Sequence, residues 1–283
     1  MGCLWAAYLT LAGFPVVLIT KTRRNGTAIN LNKGNHLETV AIEQITVDEL
    51  KRSTINIKYL LVTTKAQQTM AALSDIKPHI DHHARLLILQ NGMASKNIAA
   101  LLPTQQLITG ITTDGAYRTD ALSVVHAGAG QTLVSDNTII PCLPEQYLTI
   151  AFCQDIEAKQ WQKLAINCAI NGLTVIYQCR NGELLDNKEA IIRIKLLCDE
   201  ITAVMQALGL TIEGSLFQQT IDTLTITANN YSSMYQDCQQ KKTTEIDFIN
   251  GYICSEAKRL TISCPENQRV LAAIKTIERC YDQ

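Results

Sequence analysis

Val16-Val17-Leu18-Ile19-Thr20 is an uninterrupted run of mainly β-branched residues, with Gly13 and Pro15 ahead of it and Lys21, Arg23 and Arg24 behind. A short, continuous apolar run bounded by turn signals reads as a strand buried on both faces of a parallel sheet. The twelve residues from Met1 to Ala12 carry no charged side chain and read as a helix, so the start of the chain parses as helix, turn, strand. The competing reading is a membrane anchor with a basic flank. Against it, Gly13 and Pro15 punctuate the run after about three helical turns, and no basic residue precedes it as a signal peptide would require.

Moving outward, residues 59–63, 86–90 and 107–112 have the same strand character, and segments of helical spacing at 66–76 and 94–101 alternate with them. Alternation of this kind predicts βαβ units and a parallel sheet, with polar loops gathered at the carboxyl edge where open α/β sheets bind ligands. Residues 123–150 become alternating and turn-rich, with Gly128, Gly130, Pro141 and Pro144, and predict antiparallel edge strands. Past Asp155 long helical periodicity takes over, with helices expected at 158–176, 188–208, 221–240, 245–259 and 266–280. The expected organisation is an α/β domain over 1–155 and an all-helical domain over 156–283.

The composition narrows the partners. The chain has 283 residues, 47% hydrophobic and 18% charged, which is the balance of a soluble protein with room for two cores. With 25 basic against 26 acidic side chains there is no electrostatic footprint for nucleic acid or an anionic membrane, and a small-molecule partner is expected. Ten cysteines are scattered without a CxxC pair, so they read as reduced thiols of a cytoplasmic protein rather than a disulfide framework. His79, His82 and His83 have a spacing that would serve a metal on a helix, but only Asp81 supports them, and a solvated segment without metal is expected.

Two stretches carry candidate chemistry. Trp161-Gln162-Lys163-Leu164-Ala165-Ile166-Asn167-Cys168-Ala169-Ile170-Asn171 is apolar almost all round as a helix, yet Lys163, Asn167 and Asn171 fall at i, i+4 and i+8. They form one polar ridge on a buried rod, suited to a catalytic lysine flanked by amide donors or, more blandly, to a polar helix–helix contact. In Ser232-Ser233-Met234-Tyr235-Gln236-Asp237, Ser233 and Asp237 share a helix face, and Thr244 with Asp247 fits a capping box opening a helix at Glu245. Taken alone, these are ordinary helix features.

Taken together, the motifs resemble the ketopantoate reductase family in order and spacing over nearly the whole chain. The resemblance implies a Rossmann-like dinucleotide-binding domain followed by an all-helical substrate domain, and NADPH-dependent reduction of ketopantoate to pantoate. Lys163 is similar to the family's proton donor, with Asn167, Asn171 and the Asn181 of Asn181-Gly182-Glu183-Leu184 as substrate contacts. Ser233, with Asp237, resembles its substrate-carboxylate serine, and Glu245 its active-site glutamate, which also reaches the cofactor. Lys65, Asn91 and Ala116 match loops that contact the cofactor, Asn91 also touching substrate. Gly172 stands where the family usually has proline, and of its GxGxxG fingerprint Gly2 alone is present. The expectation is therefore a strand and glycine loop upstream of Met1. Lys21, with Arg23 and Arg24, follows the strand at 16–20 where a 2′-phosphate would lie, so NADP is expected over NAD. Two other readings stay open: a reductase of another small 2-oxo acid, and a non-catalytic homologue binding a metabolite or partner. Oligomeric state is left between monomer and homodimer.

Overall fold

In the computed structural model the first helix, α1 (Gly2–Leu11), buries Cys3, Leu4, Trp5, Ala6, Ala7 and Tyr8. With no charged side chain to keep in water it is enclosed on most sides, and Leu4 and Trp5 have no exposed surface. Gly13 adopts φ +86°, a left-handed conformation that turns the chain into β1 (Val17–Thr20). The structure describes residues 1–34, 36–93 and 95–282, without the side chains of Ser95, Lys96 and Asp282.

Residues 1–90 and 94–156 make one compact unit. After β1 come β2 (Ala28–Lys33), β3 (His36–Ala41), β4 (Glu43–Thr46), α2 (Val47–Lys51), β5 (Ile57–Val62) and α3 (Ala66–Ile76). There follow β6 (Ile80–Leu89), α4 (Ser95–Leu101), β7 (Gln106–Thr112), β8 (Gly115–Asp120), β9 (Ser123–Gly128), β10 (Thr132–Val134) and β11 (Ile150–Phe152). Ala94, where the helix expected at 94–101 was to begin, lies outside the described residues.

β5, β6 and β7 are parallel neighbours, β10 runs antiparallel to β7, and β11 parallel to β10. β1 pairs in parallel with β4 as a separate two-stranded sheet, and no pairing joins β1 to β5 among the described residues. Side chains of β6 alternate between two cores. Leu86 and Ile88 pack with Leu73 of α3 and Ile98 of α4, while Leu87 and Leu89 pack with α1 and with Ile29 and Val40 of the four-stranded sheet β3-β2-β9-β8. Burial on both faces is the reason the inner part of β6 is apolar without alternation. β6 starts at Ile80, so His82 and His83 stand on a strand and not on a helix, which removes the spacing argument for them as a helical metal pair. The expected antiparallel edge strands in 123–150 are corrected: β9 is antiparallel to β8 but parallel to β2, and β10 antiparallel to β7 but parallel to β11, so both lie inside mixed sheets, while Pro141 falls in a 3-10 helix, Asn137–Cys142.

Residues 91–93 and 157–283 form the second unit. Its helices are α5 (Ile156–Ile176), α6 (Lys188–Ala207), α7 (Leu216–Ile226), α8 (Ser233–Gln239), α9 (Asn250–Arg259) and α10 (Pro265–Arg279), around one apolar core. Two expected helices are corrected. The one at 221–240 is two, because the chain breaks after Ile226 so that the carbonyls of Ala228 and Asn230 accept the amides of Gly182 and Asn181, each at 3.0 Å. The one at 245–259 opens instead with a 3-10 turn, Ile246–Phe248, and Ile249 at φ −111°, ψ −92° separates it from α9. The capping box does not form: the Thr244 hydroxyl accepts from the Ile246 amide at 3.2 Å and donates to Glu278 Oε1 at 2.7 Å, while Asp247 pairs with Lys275. All ten cysteines are free.

Candidate active site

On α5 the expected ridge is formed, with Lys163 and Asn167 half-buried and Asn171 buried. The neighbouring face is made of small buried residues, Ala165, Cys168, Ala169 and Gly172, which let other helices approach closely. A Cβ on Gly172 would lie 2.3 Å from Val270 Cγ1 of α10. The absence of a side chain at 172 is thus used in packing.

Lys163 has its pKa lowered to about 8, because burial strips water from the ammonium, and the Glu245 carboxylate opposes the fall. Glu245 is itself 7% exposed and accepts a hydrogen bond from Asn91 Nδ2 at 3.0 Å. Asn91 is delivered by a tight turn: Gly92 sits at φ +79°, and a Cβ there would meet the Phe248 carbonyl at 2.8 Å. The Asn91-Gly92 turn therefore lies against the 3-10 turn that follows Glu245. Lys163, Glu245 and Asn91 are brought together in this way.

Asn181 is 8% exposed, donates from Nδ2 to Thr227 Oγ1 at 2.9 Å, and has a buried Oδ1 with no hydrogen-bond partner among the described residues. Such an unpaired acceptor is costly unless a ligand satisfies it. The two serines divide their tasks. Ser232 is buried, caps α8 by accepting from the Tyr235 amide at 3.0 Å, and bonds Thr174 Oγ1 at 2.7 Å, whereas Ser233 is exposed at the first position of the helix. Thr174 in turn donates to the Asn171 carbonyl at 2.8 Å, joining ridge and serine turn. That threonine gave no signal in the sequence beyond its place on the helix. Asp237 is half-buried one turn beyond Ser233, and its charge acts on Tyr281.

In the α/β unit, Gly2 is where α1 approaches the end of β5: a Cβ would lie 2.7 Å from Thr63 Oγ1. Lys65 is the N-cap residue of α3, directly after β5. Gln90, which no pattern in the sequence marks, donates from Nε2 to the Thr64 carbonyl at 2.9 Å and also to Thr69 Oγ1, tying the loops that end β5 and β6, and its buried Oε1 has no hydrogen-bond partner among the described residues. A buried cluster beside Ala116 of β8 is likewise unmarked in the sequence. Asp114 accepts from the Gly130 amide at 2.9 Å and Thr112 Oγ1 at 2.8 Å and lies 3.3 Å from His126 Nε2, while His126 Nδ1 is 2.8 Å from the Tyr8 hydroxyl on α1. Tyr8 is far from the others in the chain, and no local pattern marks them. Lys21 is exposed after β1, but Arg23 is paired with Glu49 at 2.6 Å and Arg24 donates to the Ala121 carbonyl at 2.8 Å. Of the three expected cations, Lys21 has the least structural employment.

These features define a class: a Rossmann-type α/β unit followed by a helical unit that carries a polar lysine ridge. The family profile described as ketopantoate reductase PanE/ApbA matches residues 1–138, and that of its C-terminal domain matches residues 155–278. The chain is 33% identical over 293 aligned positions to 2-dehydropantoate 2-reductase of Vibrio cholerae, covering 100% of this chain and 96% of that one. Among solved structures, a PanE/ApbA family ketopantoate reductase from Ralstonia eutropha superposes with a TM-score of 0.91 at 22% identity, covering 100% of this chain and 96% of that one. A D-mandelate dehydrogenase with NADH and anilino(oxo)acetate gives 0.90 at 21% identity, covering 100% and 97%. The last two show the fold. The chain belongs to the ketopantoate reductase family.

Proposed function

We propose that this protein catalyses the NADPH-dependent reduction of ketopantoate (2-dehydropantoate) to (R)-pantoate, in the cytoplasm, as a step toward pantothenate and coenzyme A. The observation that carries the reading is Lys163, half-buried on a ridge with Asn167 and Asn171, with an amine near pKa 8 and a buried glutamate acting on it. A lysine tuned so far below its ordinary value suits proton transfer near neutral pH.

Residues 1–155 would hold NADPH and 156–283 the substrate. Gly2, Lys21, Lys65, Asn91, Ala116 and Glu245 are the proposed cofactor residues; the close approach at Gly2 and the orphaned Gln90 Oε1 at the sheet's carboxyl edge support a ligand there. When bound, the reduced nicotinamide would supply the hydride that reduces the ketone carbon. Lys163 Nζ would give the carbonyl oxygen its proton as negative charge develops there. Glu245 keeps the proton on the lysine until it is needed. Asn167, Asn171 and Asn181 hold the substrate's oxygens, and Ser233, with Asp237 beyond it, binds the carboxylate.

The test is NADPH oxidation by purified protein across a panel of small 2-oxo acids. Ketopantoate should give the highest kcat/KM; no turnover with any of them would sink the proposal. Sedimentation of the same sample decides between monomer and homodimer.

A further inference from the structure

The ridge on α5 and the segment carrying Glu245 come from distant parts of the chain, and a directional chain of buried hydrogen bonds fastens one to the other. It begins at Glu200 on α6. That carboxylate accepts from the backbone amides of Glu266 and Asn267 at 2.7 and 2.9 Å and from Asn267 Nδ2 at 2.7 Å. Because a carboxylate only accepts, the Asn267 amide must turn its oxygen the other way. That Oδ1 accepts from Cys168 Sγ at 3.0 Å and from Asn250 Nδ2 at 3.1 Å. Asn250 is thereby fixed as a donor, and its Nδ2 also reaches the Cys168 carbonyl of α5 at 3.2 Å. Asn250, Asn267 and Cys168 have no exposed surface.

Cys168 follows Asn167 directly, and Asn250 lies five residues after Glu245, across the 3-10 turn and Ile249. One amide therefore ties the lysine ridge to the glutamate segment. Nearby, the lack of a side chain at Gly172 lets α5 approach Val270 of α10 closely.

Resting on the reduction proposed above, we infer that Asn250 is a positioning residue that sets the register of the Lys163 ridge against Glu245, with its own orientation imposed from Glu200 through Asn267. In the low-dielectric interior a shift of an ångström or so between an ammonium and a carboxylate changes their interaction appreciably. The Glu245 carboxylate acts on the Lys163 amine and raises its pKa against burial. Slackening the tie withdraws that support.

The test reads Lys163 directly, in the protein without ligands, as the pH dependence of its labelling by an amine-reactive reagent, located by mass spectrometry. Asn250→Leu, which keeps the volume and removes the amide, should move the labelling pKa of Lys163 downward by about half a unit or more. Leu224→Ala, a truncation of the same core on α7, lowers the melting temperature and should leave that pKa in place. Should the leucine variant not fold, Asn250→Ser removes the same amide at smaller volume. An unchanged labelling pKa in a folded Asn250 variant, whatever its melting temperature, overturns the inference. Because labelling needs no turnover, a moved pKa in a protein that reduces no 2-oxo acid would reject the proposed reaction and leave the positioning role standing. In an active protein, the same variant should lower kcat and shift the falling limb of its pH profile while KM changes less.

Discussion

Lys163 can donate a proton only while it carries one, so its depressed pKa has two consequences of opposite sign. If it is the general acid, the rate of reduction falls as pH rises through about 8. Stability goes the other way. Below about 8 the folded protein holds a charged amine in a place that disfavours it, and between there and the ordinary value of 10.5 the unfolded chain binds more protons than the folded one. Over that window this group's contribution to stability rises with pH. Replacing the side chain separates the two effects: Lys163→Ala should lower kcat by about 10²–10⁴-fold and cost little in denaturant midpoint. Near-normal turnover in a folded Lys163→Ala protein would remove the lysine from the mechanism. Glu245→Gln keeps the Asn91 contact in shape but withdraws the charge, so the falling limb of the pH profile should move to lower pH.

At the scale of elements, the adjacent serines at the start of α8 give a sharp contrast. Ser232→Ala removes a cap and a buried hydroxyl contact, and should cost about 1 kcal/mol or more of stability in urea titrations. Ser233→Ala should leave the midpoint unchanged and raise KM for the oxo acid. If the two variants exchanged these effects, the assignment of the substrate serine would be wrong. The sequence could not separate them, because the break before Ser232 depends on Asn181 and Gly182, some fifty residues away, bonding to the carbonyls of Asn230 and Ala228. Elsewhere the local signal was enough. The inner part of β6 was readable because burial on both faces makes a strand uniformly apolar; Val17 to Thr20 is a strand as expected but not one buried on both faces, since Val17 is exposed and Leu18, Ile19 and Thr20 are half-buried in a two-stranded sheet. The beginning of β6 was not, since Asp81, His82 and His83 lie outside that double cover. The β2–β3 hairpin also escaped, as neither strand has a long apolar run. Of the candidate site, the Lys163 ridge was legible as helical spacing and Glu245 by resemblance; Gln90, Thr174 and the Asp114 cluster work through partners that only folding brings near.

For the whole molecule, ligand linkage provides the measurement. NADPH bound to the folded chain alone stabilises it by RT ln(1 + [L]/Kd), about 2.7 kcal/mol at a hundredfold excess over Kd. Thermal melts should therefore rise more with NADPH than with equal NADH, and Lys21→Ala should narrow the difference. Equal shifts with the two cofactors would instead make Lys21 a solvated loop residue. The same melts can be followed through the thiols of the helical core. Burial pushes Cys198 up to about 11 and Cys254 up to about 12, and holds Cys168 well above its ordinary value. A protonated, enclosed thiol is a poor nucleophile. Cys168 should thus resist alkylation for as long as the helices around it stay closed, and its rate of modification under native conditions becomes a clock for the opening of that core. Since the same residue carries both the thiol and the carbonyl that Asn250 grips, the clock reports on the part of the molecule where the lysine is held.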